Sequence, residues 1–370
     1  MAKIGVITFS DTTDNYGQVL QYLAIHEYLK QRGHETFLLR YKSKKSPLLR
    51  RILSKIYHTV YKPIPKPPVK KSELMELYNR WTEWSELNDI LHPRQFEDFR
   101  KQNFSIKYIV GFDDKHIQEF DAFAIGSDQI WSYVGKWNFL GFVPEGTHRF
   151  TIAPSTGNKS FTTEQIHDAS IMLKDFSFVT CREDSGIVFC KEAGYENAVK
   201  ILDPTFLIEK EKYNNYTLHN ETSEPYIFVY LLGAECEESI DRIYEFAQKH
   251  NLEVKYVASQ GREDSYEKIW ATVPEWITLM KCASYVITNS YHGMALSIIY
   301  HKQFLVLPVI GITSFMNERI FSLADTLGLK NRIISRNVDE ILLPIDYSYV
   351  NSVIASNKEI LDSKLSQINY

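Results

Sequence analysis

Short apolar runs that stop abruptly in glycine or small polar residues recur along this chain, and most are followed by a stretch with helical spacing. Ile4 to Phe9 is the first such run. The polar segment Ser10 to Tyr16 follows, and Gly17 to Gln31 then has helical periodicity through Val19, Leu20, Leu23, Ala24 and Leu29. Gly33-His34 closes that helix, and Glu35 to Tyr41 reads as a second strand, which completes a βαβ unit. The rhythm returns with apolar runs at Phe120 to Ile125, Phe150 to Ala153, Phe178 to Cys181 and Ala198 to Leu202. A second series comprises Tyr226 to Leu232, a helix over 236–250, Val254 to Ala258, a helix from Pro274, Tyr285 to Thr288, and Phe304 to Pro308. Strands alternating with helices predict parallel sheets whose ligands sit beyond the carboxyl ends of the strands.

At 370 residues the chain is long enough for two such units, each with its own core. Residues 214–224, rich in Asn and Thr, read as the linker between them. The expected division is an N-terminal α/β domain over 1–220 and a C-terminal α/β domain over 221–334. Segment 335–370 is expected to pack back on the first domain. The fold class is therefore α/β, with two Rossmann-like domains whose parallel sheets face a cleft.

Residues 42–110 interrupt the first domain as an insertion. Within 42–71 there are ten Lys/Arg and no acid, and apolar residues recur at helical spacing over 46–61 before Pro63 to Pro68 forbids further helix. A basic amphipathic helix can lie on an anionic membrane face, or can pack its apolar stripe on the protein body.

Composition excludes more than it proposes. An apolar fraction of 44%, a charged fraction of 24% and a net charge of −4 describe an ordinary globular protein with no reason to bind nucleic acid. The 23 Tyr and 21 Phe suit a sugar-contacting surface but equally a large core. Cys181, Cys190, Cys236 and Cys282 are scattered without metal-ligand spacing and read as reduced thiols. The first strand begins at once and no apolar run reaches the roughly 18 residues of a membrane span, so a cytoplasmic protein is expected. No GxGxxG, P-loop, HExxH, DxD or GxSxG motif is present.

Chemistry concentrates at the predicted strand ends. Asn15-Tyr16-Gly17 opens the first helix, and Gly17 either lets a ligand approach the backbone or is a turn glycine. Asp128, after Gly126-Ser127, is either a helix cap or a carboxylate facing the cleft. Arg182 follows a buried run, where its planar fork can grip a carboxylate or phosphate or can pair with Glu183 or Asp184. The junction Asn289-Ser290-Tyr291-His292-Gly293 places a histidine at a helix start, where the dipole disfavours its cationic form unless an anion is bound. Arg319 offers a further cation or a surface salt bridge.

These elements together resemble the polysaccharide pyruvyl transferase family. The match runs in one consistent order through Asn15-Tyr16-Gly17 with Leu20-Gln21, Gly126 to Trp131, Arg182 to Gly186, Asp203-Pro204-Thr205 and Asn289 to Gly293. Asn317-Glu318-Arg319-Ile320 matches more weakly. The resemblance implies a two-domain fold similar to the GT-B glycosyltransferases. It also implies transfer of the enolpyruvyl group of phosphoenolpyruvate to a sugar acceptor, which is often lipid-linked at the inner membrane face, with no cofactor or metal. On that basis His292 is expected to bind phosphate and act as general acid, Asp128 to act as base, and Arg182 to hold the donor carboxylate. Asn15, Tyr16, Gly17, Ser127, Asn289, Ser290, Gly293 and Arg319 are the remaining candidate substrate contacts. Ser290 stands where the better-characterised branch of the family carries an arginine, so Arg319 or Arg182 would have to supply that cation. The rival expectations are a nucleotide-sugar glycosyltransferase on the same architecture and a non-catalytic glycan-binding module.

Overall fold

The computed structural model describes residues 1–9, 11–43, 73–157, 160–218, 224–233, 235–236, 239–333 and 337–368. The basic segment 46–61 lies outside the described residues. The N-terminal lobe is built on β1 (Lys3–Ile7), β2 (Glu35–Lys42), β3 (Ser105–Val110), β4 (Ala122–Ile125) and β5 (His148–Thr151), in the order β3-β2-β1-β4-β5. Every pairing is parallel. A bridge between Phe150 and Phe178 leads from β5 towards the short pair β6 (Thr180–Cys181) and β7 (Val199–Lys200). Hydroxyls continue that contact: Thr180 N–H donates to Thr151 Oγ1 at 2.6 Å, and Thr151 Oγ1 donates to the Thr180 carbonyl at 2.7 Å.

The C-terminal lobe repeats the plan with β8 (Tyr226–Tyr230), β9 (Glu253–Tyr256), β10 (Tyr285–Thr288) and β11 (Gln303–Val306), in the parallel order β11-β10-β8-β9. Bridges Val257–Ile269 and Val306–Ile333 add one contact on either side. Both lobes are thus doubly wound: the first strand lies between the second and the fourth in the N-terminal sheet, and between the second and the third in the C-terminal sheet. The direction of winding reverses between β1 and β4, and again between β8 and β10. Each reversal opens a crevice at the strands' carboxyl ends, where this architecture takes ligands.

One strand falls inside the segment read as an insertion. Ser105–Val110 is the outer strand of the first sheet, and only Ile109 of its six residues is buried. An edge strand needs few apolar residues, so Ser-Ile-Lys-Tyr-Ile-Val carries no buried-run signature.

The lobes share a continuous apolar core. Helix Tyr16–Gln31 of the first lobe and helix Tyr291–Ile299 of the second bury Leu20, Leu23, Met294 and Leu296 in one cluster with Tyr230 and Trp276. Helix Ser348–Leu365 then returns to the first lobe. Its Asn357 accepts from Leu202 N–H at 3.1 Å, and its Asp362 accepts from Tyr28 Oη at 2.5 Å and pairs with Arg32. Helix Glu73–Leu91 lies across the carboxyl edges of both sheets. Ser85 donates to Asp14 in the loop after β1, and Trp81 packs on Gly261 in the loop after β9.

A charged clamp sets the loop that carries Asn15-Tyr16-Gly17. Arg40 on β2 makes two hydrogen bonds of 2.9 Å to Glu97, Arg100 donates to the same carboxylate, and Arg100 Nη1 donates to the Thr12 carbonyl at 2.7 Å. Hydrogen bonds from Arg40, opposed by partial burial and reinforced by Arg100, hold the Glu97 carboxyl down to about 2 from an ordinary 4.5. A depressed carboxyl contributes stability that is complete above its unfolded value and is lost as pH falls through the folded one. Glu97→Gln should therefore lower the melting temperature at pH 7, and the deficit should shrink between pH 4.5 and 2. A deficit constant over that range, measured by thermal denaturation, would show that the charge is irrelevant to the clamp.

Candidate active site

The centre of the interlobe seam is a buried carboxylate. Asp203 ends the segment after β7 and is fully shielded from solvent. Its Oδ1 accepts from Thr205 N–H and Thr205 Oγ1 at 3.0 and 2.9 Å. Its Oδ2 accepts from Ser127 Oγ at 2.9 Å and Arg182 Nη1 at 3.0 Å. From the opposite lobe, His292 Nε2 stands 3.7 Å from the same Oδ2, an ion-pair separation too long for a hydrogen bond. Burial alone would raise the Asp203 pKa, but His292 and Arg182 hold it well below the ordinary carboxylate range.

Access for the histidine depends on Gly17. A Cβ at that position would sit 2.0 Å from His292 Nδ1, so only a glycine lets the imidazole lie against the first helix. The freedom used here is space rather than backbone conformation. Residue 17 does permit a close approach, and the approaching group is a side chain of the other lobe.

Arg182 links this centre to a cavity of about 260 Å³ between the lobes, which Lys200, Tyr291, Arg319, Ser322 and Asn357 also line. Its Nε donates to Glu183 at 3.3 Å, and its guanidinium carbon lies 4.7 Å from the Tyr291 ring centroid. Glu183 is fixed in turn by Ser155 Oγ and by Thr156 N–H at 3.0 Å. Burial alone would lower the Arg182 pKa, but Glu183 and Asp203 raise it overall. Arg319 has the opposite balance: burial first, then the charge of Arg182, lower its pKa. Its Nη1 is 3.9 Å from Asp128, and the Gln129 amide oxygen, in the orientation that satisfies both groups, accepts from Nη1 and Nη2 at 2.9 and 3.0 Å.

Two buried nitrogens at this centre, Arg182 Nη2 and His292 Nε2, have no hydrogen-bond partner among the described residues. Such groups cost free energy when empty and are suited to an oxyanion. Asp128 is also held at a cost. Its backbone, at φ 60° and ψ −168°, occupies a region that is essentially glycine's, and its side chain makes no helix-capping bond. It faces Arg319 instead. Among the described residues no cluster of His, Cys, Asp or Glu could hold a metal ion.

The structure thus brings Gly17, Ser127, Asp128, Arg182, His292 and Arg319 into one connected group. The other candidates shape the frame around it. Asn15 caps helix 16–31 by accepting from Gln18 N–H at 3.4 Å. Tyr16 is buried in the interlobe core, stacked on Trp276 with its hydroxyl donating to the Ala271 carbonyl at 2.5 Å. Asn289 accepts from Leu232 N–H at 2.7 Å and donates to the Leu232 carbonyl at 3.3 Å. Ser290 caps helix 291–299 through Gly293 N–H at 3.3 Å, and Gly293 packs against Thr288. Asp203, Gln129 and Tyr291 lie within quoted motifs, but sequence reasoning assigned them no role. Asp203 resembles a turn cap in sequence, which it also is, and only the tertiary fold brings Ser127, Arg182 and a histidine to it.

The model of the polysaccharide pyruvyl transferase family matches residues 15–309, and the chain belongs to that family of transferases. Among curated proteins none matches the chain significantly. Solved structures of similar outline include UDP-GlcNAc 2-epimerase from Neisseria meningitidis bound to UDP-GlcNAc, with TM-score 0.45 and 10% identity over 100% of both chains. The UDP-GlcNAc 2-epimerase of Methanocaldococcus jannaschii has TM-score 0.45 and 10% identity, covering 98% of this chain and 99% of its own. The glycosyltransferase SsfS6 of Streptomyces sp. SF2575 has TM-score 0.37 and 12% identity, covering 97% and 96%. The fold assignment rests on the strand order itself, which is of the GT-B kind: two facing doubly wound lobes.

The Gly17–His292 contact makes a quantitative expectation. Gly17→Ala should destabilise the protein by about 1–3 kcal/mol, as overpacking does. Adding His292→Ala should recover most of that loss, giving a coupling well outside additivity in a double-mutant cycle of thermal stabilities. Additive losses would place the cost of the methyl group elsewhere.

Proposed function

We propose that this protein transfers the pyruvyl group of phosphoenolpyruvate onto two hydroxyls of a sugar in a surface-polysaccharide precursor, forming a cyclic ketal. Two buried nitrogens without a hydrogen-bond partner among the described residues carry this reading: Arg182 Nη2, on a residue lining the cavity with Arg319 and Lys200, and His292 Nε2 behind it, 3.7 Å from Asp203. Family membership supplies the reaction class. A donor with a carboxylate and a phosphate suits a site whose cations are partly buried and crowded, because the anion relieves their mutual repulsion.

The reaction balances without an outside reagent. One acceptor hydroxyl oxygen adds to C2 of the enol phosphate while C3 gains a proton. The second hydroxyl oxygen then displaces phosphate from C2 and closes the ring. Of the two hydroxyl protons, one is accounted for on C3 and one leaves with phosphate. In this scheme Arg182 holds the carboxylate, and His292 holds the phosphate and delivers the proton to C3. Asp128 accepts the acceptor's hydroxyl proton, and its strained backbone holds the carboxylate towards Arg319. Arg319 lies next to Asp128 and supplies the second cation that Ser290 does not. The enol phosphate carries the group to be transferred, so the scheme calls for no cofactor.

Phosphoenolpyruvate at about 100 times its dissociation constant should stabilise the protein by roughly 2.7 kcal/mol in a thermal-shift titration. The effect should exceed that of inorganic phosphate and be lost in His292→Ala. Turnover in that variant should fall by about 10²–10⁴, as for loss of a general acid. Stabilisation by nucleoside diphosphates alone would transfer the proposal to glycosyl transfer.

A lipid-linked acceptor would bring the protein to the inner membrane face, where the basic segment 46–61 gives it a contact. No helix among the described residues is long and apolar enough to cross a membrane. Co-sedimentation should accordingly be greater with anionic than with neutral vesicles, and equal sedimentation would remove the contact.

A further inference from the structure

A second groove opens on the same interlobe seam, where helix 73–91 crosses to the loop after β9. Its lining comes from both lobes: Trp84 and Asn88 from the helix, and Arg262, Glu263, Asp264, Lys268 and Trp270 from the loop. It encloses about 300 Å³. Trp84 and Trp270 stack with centroids 5.7 Å apart, and His92 covers Trp270 at 4.5 Å. Both indoles are partly exposed, so they form an aromatic wall at the surface rather than a piece of the core.

The polar side of the groove has no net charge to offer. Arg262 and Lys268 are balanced by Glu263 and Asp264. Asp264 already takes Lys268 Nζ at 2.5 Å, Arg262 Nε at 3.1 Å and Tyr256 Oη at 2.7 Å. An anion therefore finds its cations occupied, and an apolar chain finds a mostly polar lining. A neutral polyol fits both halves. Its C–H faces pack on indole, and its vicinal hydroxyls exchange hydrogen bonds with planar side chains such as Asn88, Glu263 and Arg262.

The place of the groove connects it to the chemistry. Trp270 precedes Ala271, whose carbonyl accepts from Tyr16 Oη, and Tyr16 precedes the Gly17 on which His292 rests. The cavity beside Arg182 and this groove share no lining residue, so one sugar ring does not fill both.

We infer that the Trp84–Trp270 groove binds the acceptor glycan at a distance from the reacting hydroxyls, so that the substrate is an oligosaccharide chain rather than a free monosaccharide. The inference rests on the pyruvyl-transfer reading for the nature of the ligand. The test is a tryptophan-fluorescence titration of the full chain with size-fractionated fragments of the source organism's own envelope polysaccharide. Thermal-shift titrations with phosphoenolpyruvate and with a nucleoside diphosphate run in parallel. Affinity should rise with fragment length. It should fall by about tenfold or more in Trp84→Ala and measurably in Glu263→Ala, whose exposed side chain leaves the fold intact. The phosphoenolpyruvate response should be unchanged in both variants. Equal fragment binding by wild type and both variants, or no binding of any fragment, overturns the groove as a glycan site. So does nucleotide binding that Trp84→Ala abolishes. Fragment binding that depends on Trp84, with no response to phosphoenolpyruvate, leaves the groove standing and removes the pyruvyl-transfer reading instead.

Discussion

His292 reaches the buried Asp203 carboxylate only because residue 17 carries no side chain, and most of the interlobe architecture follows from that contact. The imidazole belongs to the C-terminal lobe, whereas the glycine, the carboxylate, Ser127 and Arg182 belong to the N-terminal lobe. A histidine at a helix start, near the positive end of the dipole, is electrostatically awkward by itself. Asp203 supplies a negative charge beside it, and the surrounding apolar core keeps water from screening the interaction. The two lobes are therefore joined by packing and by charge at the same point.

That junction also explains why the site combines order with unsatisfied capacity. Asp203 has every oxygen engaged, and Glu183 is tied by Ser155, Thr156 and Arg182. The acids are thus spent on holding cations in place. Arg182 Nη2 nevertheless has no hydrogen-bond partner among the described residues, and His292 Nε2 has only the longer ion-pair contact with Asp203. Arg319 adds a second guanidinium, whose own affinity for a proton is lowered first by burial and then by the charge of Arg182. A frame built this way is preorganised, because its dipoles and charges are fixed before any ligand arrives.

Much of this was legible in the residues themselves. Parallel strands covered on both faces must be apolar throughout, so β1, β4, β8 and β10 announce themselves as uninterrupted runs. Position at strand ends then singled out Asp128, Arg182 and His292. The edge strand β3 was not legible, since one buried residue leaves no pattern. Nor were the partners. Gly17 and His292 are far apart in the chain, and a glycine after Asn-Tyr looks like any turn until the imidazole lies on it. Tyr16 shows the converse: as the first residue of a helix at a sheet's ligand edge it reads as a contact residue, yet stacking on Trp276 turns it inward. Motif position identifies where chemistry can occur, and packing decides which side chains remain available for it.

The return of helix 348–365 to the first lobe has a consequence for how the protein is made. Tyr28, Arg32 and Leu202 are synthesised early, but Asp362 and Asn357, which they bond, emerge from the ribosome after the whole second lobe. Leu361 and Leu365 enter the same core as Leu20 and Leu23. A nascent N-terminal lobe must therefore wait with part of its apolar surface uncovered, a state in which chains recruit chaperones or associate wrongly. Because the Tyr28–Asp362 contact spans nearly the full sequence, the first lobe gains its last contacts only once the C-terminal helix is made.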